Sequence, residues 1–135
     1  MNGFLLIDKQ KGGTSFGVVR DVRRELGIKK VGHSGTLDSL ATGLLLIAVG
    51  KGTKLLEYLI VCDKEYLVTA KFGFVSDTYD AGGEVREISE KMCSQDEVLR
   101  AMDKFRGAIL QNPPKYSALK VGGRRASDIV RSGGE

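Results

Sequence analysis

Short unbroken apolar runs and helical stripes divide the 135-residue chain. Phe4-Leu5-Leu6-Ile7 is apolar and is ended by Asp8-Lys9-Gln10-Lys11-Gly12-Gly13, which predicts a short strand. Between Phe16 and Leu26, Val18, Val19, Val22 and Leu26 recur at steps of three and four while the charged residues face away, so this segment predicts a helix. Thr14 or Ser15 suits its N-cap, and Gly27 its left-handed C-terminal cap. Leu44-Leu45-Leu46-Ile47-Ala48-Val49, bounded by Gly43 and Gly50, has the length and apolarity of a strand buried on both faces.

Further along, Leu55 to Leu59 predicts a short helix, and Lys64 to Phe74 alternates as a strand. Tyr66, Val68, Ala70 and Phe72 would share one of its faces. After the polar turn Ser76 to Gly83, Glu84 to Ile88 returns as a strand. Ser94 and Glu97 have the spacing of a capping box, followed by the apolar stripe Val98, Leu99, Met102 and Phe105 of a helix ending near Gly107. Pro113-Pro114 excludes helix there. Tyr116 to Val121, the Gly122-Gly123 turn and Arg124-Arg125 form a hairpin leading into a last helix near Ser127 to Ser132. Strands and helices mix without regular alternation, so the expected class is α+β: a largely antiparallel mixed sheet with flanking helices. One domain is expected over residues 1–135, with no internal repeat and no linker.

Composition changes this picture little. Apolar residues make up 41% and charged residues 28%, as in a soluble globular protein. No run approaches the ~20 apolar residues of a membrane span, and the N-terminus lacks a signal-peptide pattern, so a cytoplasmic protein is expected. Cys62 and Cys93 stand far apart and His33 is the sole histidine, which predicts neither a metal site nor a disulfide. A net charge of +4 permits an anionic partner, and its distribution says more. Lys115, Lys120, Arg124, Arg125 and Arg131 gather near the C-terminus against the single acid Asp128. Arg20, Arg23, Arg24, Lys29 and Lys30 form a second cluster, diluted by Asp21 and Glu25. Such clusters are more often a solvated face than a nucleic-acid site.

Candidate chemistry centres on Gly32 to Gly43, which holds three glycines, two Thr, two Ser, His33 and Asp38. Small, turn-forming residues let a backbone approach a ligand closely, and a polar loop fixed to a buried strand presents a catalytic group well. Asp38 is the first candidate for chemistry, although an isolated loop aspartate more commonly closes a turn. Gly50-Lys51-Gly52-Thr53-Lys54 before a helix resembles a phosphate cradle. The full motif fails, because Leu45 stands where its first glycine belongs and Gly52 separates Lys51 from Thr53, so a tight turn with a capped helix is the better reading.

Four stretches together resemble the TruB-type tRNA pseudouridine-55 synthases. They are Leu6-Ile7-Asp8-Lys9 with Gly12 and Thr14-Ser15; Gly32-His33-Ser34-Gly35-Thr36-Leu37-Asp38 with Leu40-Ala41-Thr42-Gly43; Asp63-Lys64-Glu65-Tyr66; and Pro113-Pro114-Lys115-Tyr116-Ser117-Ala118-Leu119-Lys120. Order and spacing match as well, over essentially the whole chain. The resemblance implies a pseudouridine synthase-like catalytic domain, of which these residues are the N-terminal part. The family's remaining catalytic segment, with its active-site arginine, and its C-terminal RNA-binding domain are not among them. Ser39 and Gln10 stand where the family usually has proline.

By that resemblance the activity is isomerisation of one uridine in the tRNA T-loop to pseudouridine, without metal or cofactor. The aspartate of the G-T-L-D motif, the nucleophile, falls on Asp38. The tyrosine that stacks on the flipped base and serves in proton transfer falls on Tyr66. The histidine that helps hold the nucleotide everted falls on His33. Residue chemistry agrees with these roles. A free carboxylate is ionised at neutral pH and attacks carbon without a separate base. A base buried in a folded loop must be flipped out, and an aromatic face recovers part of the unstacking cost. Lys120, Arg124 and Arg125 are expected to face phosphates of the T stem-loop. The competing readings are a catalytically incompetent RNA-binding fragment of such an enzyme and, from a different class, a nucleotide binder built on Gly50 to Lys54. As a fragment, the chain is expected to self-associate or to be marginally stable.

Overall fold

In a computed structural model of the chain, which describes residues 1–114, 116 and 120–133, the N-terminal apolar run lies within strand β1, Gly3–Lys9. It is followed by helix α1, Ser15–Leu26, capped by Thr14, whose Oγ1 accepts the Gly17 N–H at 2.9 Å. Gly27 ends this helix in the left-handed region at φ 62°, where a side chain would strain the backbone. Strands β2, Val31–His33, and β3, Gly43–Val49, complete an antiparallel sheet of order β1-β3-β2. Its register pairs Gly3 with Val49 and Lys9 with Gly43 on one side of β3, and His33 with Ile47 on the other.

Helix α1 covers one face of this sheet. Val19 and Val22 pack with Val31, Leu45, Ile47 and Val49, and Leu5, Ile7, Val18, Ile28 and Leu37 close the edges of the cluster. Each fully buried aliphatic side chain there contributes roughly 1.5–3 kcal/mol. The opposite face is covered only in part. A 3-10 helix, Gly50–Leu55, and helix α2, Leu56–Ile60, follow β3. Leu56 lies so close over the Gly32–Ala48 pair that a Cβ at position 32 would meet its Cδ1 at 2.9 Å. Ala48 is therefore fully buried, while Leu6 is 72% and Leu44 67% exposed. The expectation that β3 is buried on both faces thus holds only at its C-terminal half, because the covering helix does not extend over Leu44.

By its contacts the chain forms two compact units, Met1–Leu67 and Val68–Glu135. In the second, strands β4, Phe74–Ser76, and β5, Val85–Glu87, pair antiparallel. Helix α3, Gln95–Asp103, carries the full capping box: the Ser94 hydroxyl accepts the Glu97 N–H and the Glu97 carboxylate accepts the Ser94 N–H. The hairpin of β6, Lys120–Val121, and β7, Arg124–Arg125, runs into α4, Ala126–Arg131. The class is α+β with antiparallel sheets, as expected.

Two elements differ from the sequence pattern. Residues 63–71 form no strand, and regular pairing begins only at Phe74. An alternating segment becomes a strand when a neighbour takes its backbone hydrogen bonds, and none of the described strands lies beside this one. Its residues Tyr66, Leu67, Val68 and Phe72 are accordingly exposed. The stripe of α3 is also left uncovered: Leu99 and Met102 are exposed, and Phe105 falls beyond the helix end.

Candidate active site

The polar stretch between β2 and β3 is a loop held at several backbone points. Where it leaves β2, the Ser34 N–H donates to the Leu46 carbonyl at 3.0 Å. In its middle it meets the connection between β1 and α1. Ser15, 1% exposed at the start of α1, accepts the Leu37 N–H at 2.8 Å and donates to the Leu37 carbonyl at 3.1 Å. One hydroxyl thus satisfies both backbone groups of a residue 22 positions away. Two residues on, the Gly12 N–H donates to the Ser39 carbonyl at 2.7 Å. Asp38 lies between these anchors, and its own carbonyl accepts the Ala41 N–H at 3.1 Å.

The connection that provides the anchors is itself fixed. Lys9 is 1% exposed, and its ammonium donates to the carbonyls of Gly13 at 2.8 Å and Gln10 at 3.1 Å. A lysine so enclosed must place its charge against acceptors, and here those are the carbonyls of the turn. Gln10 donates to the carbonyl and carboxylate of Asp8. Ser39, which stands where the resembled family usually has proline, is tied through its carbonyl.

By contrast, the Asp38 side chain is exposed and has no hydrogen-bond or ion-pair partner among the described residues. Its lone pairs remain free for a substrate. His33 sits at the end of β2, partly buried, with a buried Nδ1 that has no partner among the described residues. Tyr66 is 65% exposed in the irregular stretch after α2 and makes no hydrogen bond or ring contact there. Asp38 and His33 belong to one connection of the sheet, and Tyr66 to the end of the same unit. Lys120, Arg124 and Arg125 lie in the second unit, where Lys120 stands opposite Arg125 across the hairpin. Their side chains, and Lys115 altogether, lie outside the described residues.

Of the other basic cluster, Arg24 is engaged by Asp21 and Glu25 at 3.1 Å each, and Glu25 foremost raises its pKa. Arg23 donates to the Val31 carbonyl at 2.8 Å and lies over the Phe16 ring. These two arginines serve the fold. The would-be phosphate cradle is also occupied: the Asn2 Oδ1 takes the Lys51 N–H at 2.7 Å, and the Thr53 hydroxyl donates to the Gly50 carbonyl at 2.8 Å. A groove of about 560 Å³ between β1 and α1, floored by Leu5, Ile7, Val18, Val22 and Leu26, includes none of Asp38, His33 or Tyr66. Asp8, Asp21 and Glu25 line it as well, but the groove does not include the loop that carries Asp38. Among the described residues, no three His, Cys, Asp or Glu side chains are grouped to hold a metal ion. No helix there is long and apolar enough to cross a membrane.

Sequence reasoning named Ser15 as a cap candidate and as part of the first motif, with no role toward the loop. Thr14 takes the cap, and Ser15 turns to the loop instead. Adjacent Thr and Ser at a helix start was the available signal, since one helix has use for one such cap.

Residues 23–135 match the sequence profile described as TruB family pseudouridylate synthase (N terminal domain). The chain belongs to this family. It is 48% identical over 133 residues to tRNA pseudouridine synthase B of Aquifex aeolicus, covering 98% of this chain and 46% of the relative. A protein of the same name from Protochlamydia amoebophila is 42% identical over 134 residues, covering 98% of this chain and 51% of that one. The TruB family chain therefore spans about half the length of the curated relatives it matches. Among solved structures, a chain of a crystal structure of a Cbf5–Nop10–Gar1 complex superposes with a TM-score of 0.58 at 28% identity, over 87% of this chain and 31% of that one.

Proposed function

We propose that residues 1–135 form the N-terminal part of a catalytic domain that isomerises a uridine of the tRNA T-loop to pseudouridine, with Asp38 as nucleophile. The observation that carries the reading is the contrast at Asp38. Its backbone neighbours on both sides are anchored, while its carboxylate is exposed and unpaired among the described residues. Family membership and the name tRNA pseudouridine synthase B borne by its relatives supply the reaction.

In the proposed reaction Asp38 attacks the target nucleotide and the bond between ribose carbon and uracil nitrogen breaks. The freed base turns and rejoins the ribose through carbon, and the bond between Asp38 and the nucleotide breaks, returning the carboxylate unchanged. That ring carbon loses its proton and the freed nitrogen gains one, so the isomerisation is balanced. Tyr66, whose ring is exposed, stacks on the everted base, worth ~1–3 kcal/mol against the unstacking cost, and serves in the proton transfer. His33, half-enclosed at the root of the loop, helps hold the nucleotide out. Lys120, Arg124 and Arg125 contact phosphates of the T stem-loop. Acting on tRNA, the protein works in the cytoplasm.

The test is release of tritium from T-loop RNA labelled at the uracil carbon that forms the new bond. It is run with the 135-residue chain alone and with the remaining segment of the Aquifex aeolicus relative added. Label release that requires Asp38 supports the reading. RNA binding without release in either arm would make the chain a binding module, and binding of nucleotide but not RNA would return the reading to the Gly50–Lys54 turn.

A further inference from the structure

The hydrogen bonds around the Asp38 loop single out a residue that lies in a different motif from the nucleophile. The geometry points to Ser15 as a positioning residue for Asp38, acting through the backbone of Leu37. This inference rests on the proposed role of Asp38.

Ser15 is buried, and its hydroxyl both accepts from and donates to Leu37, the residue immediately before Asp38. Because both bonds go to one residue, they fix the orientation of the peptide planes on either side of Leu37. The second of these planes ends at the Asp38 Cα. The Gly12–Ser39 bond fixes the plane beyond Ser39. The chain on both sides of Asp38 is thereby referred to the β1–α1 connection, although its side chain touches nothing among the described residues. A free carboxylate on a loop otherwise samples many directions, and a misplacement of about 1 Å can cost on the order of a hundredfold in rate. The Thr14 cap already satisfies α1, so the helix has no need of the Ser15 hydroxyl for capping. The bond spans 22 residues and joins two elements that only the folded sheet brings together. A substitution at Ser15 should therefore be felt at Asp38 more than in the core.

Amide hydrogen exchange and the side-chain carboxyl resonance of Asp38, measured by NMR on the full 135-residue chain, test this. In Ser15→Ala the Leu37 amide should exchange at least about tenfold faster, as expected when a backbone donor loses its partner. The Asp38 carboxyl signal should shift or broaden, while the Ile47 amide in the core stays within about twofold of the parent. Ser15→Thr, which keeps the oxygen, should restore both signals. Unchanged Leu37 and Asp38 signals, or Leu37 and Ile47 accelerating together, would overturn the proposal by making Ser15 irrelevant or merely structural. Should Ser15→Ala not fold, Ser15→Thr decides alone: parental protection at Leu37 and a parental Asp38 signal support the role, and loss of either overturns it. In preparations that release tritium, Ser15→Ala should lower kcat about 10- to 100-fold with KM for RNA within about threefold. A change confined to KM would contradict positioning. Tritium release persisting in Asp38→Asn would instead defeat the nucleophile reading, leaving the NMR result at Leu37 to stand by itself.

Discussion

Every buried residue among the described ones lies in Met1–Leu67, whereas from Val68 onward the described backbone hydrogen bonds are those of turns, helices, caps and hairpin pairs. In the first unit α1 finds a sheet face, and Val19, Val22, Leu45, Ile47 and Val49 enclose one another. In the second unit α3 begins with a complete capping box, and the turn before β5 is braced by Asp77 and Asp80, yet Leu99, Met102 and Val85 remain exposed. Local chemistry is thus enough to start and stop an element, but not to bury it. The candidate nucleophile sits where long-range bonds are available, and the anchors of its loop come from another element.

The comparison can be broken first at the core. Ile47→Ala should destabilise the first unit by about 2–5 kcal/mol, through lost burial and the cavity left behind. Leu99→Ala, on an exposed helix face, should stay within about 0.5 kcal/mol. Urea unfolding followed by amide exchange in each unit measures both, and equal effects would erase the distinction. Next in size is RNA binding. Neutralising Lys120, Arg124 and Arg125 to Gln should flatten the salt dependence of T-loop RNA binding by about one unit of slope per lost phosphate contact. An unchanged slope would make the hairpin a solvated face.

What could be read from the chain divides along the same line. Strand β1, helix α1 with Thr14 and Gly27, and strand β3 were legible because periodicity and caps are local signals. The capping box of α3 and the β6–β7 hairpin were legible for the same reason. The segment 64–74 was misread, since alternation announces a face but not the neighbour that must pair with it. Full burial of β3 was overstated because Leu44 and Leu46 say nothing about how far Leu56 and its helix extend. At the candidate site, motifs pointed to Asp38, His33 and Tyr66, while nothing in them pointed to the hold of Ser15 on Leu37. A hydroxyl 22 residues distant in sequence leaves no periodic trace.

Smaller effects sharpen the account of the second unit. Ser94→Ala should cost about 1 kcal/mol of local stability, seen as faster exchange in the first turn of α3 and little change in Ile47. Acid should act at the same place. Bonds from the Ser94 backbone and then its hydroxyl hold the Glu97 carboxyl below its ordinary value of 4.5. A lowered folded pKa means stability that is present above 4.5 and lost as pH falls through the folded value. The α3 amides should therefore lose protection below about pH 4.5, and Ser94→Ala, which removes the hydroxyl but keeps the backbone donor, should weaken that pH dependence without abolishing it. Protection that is flat with pH in the parent would remove the box from the account.

The central claim is that an anchored loop presents a free, nucleophilic carboxylate at position 38. Tritium release from labelled T-loop RNA, compared between the parent and Asp38→Asn under conditions where the parent turns over, tests it most directly. The account predicts a loss of at least about a thousandfold in turnover, with RNA affinity within about threefold of the parent. Asp38→Asn turning over at a tenth of the parent rate or better would contradict it.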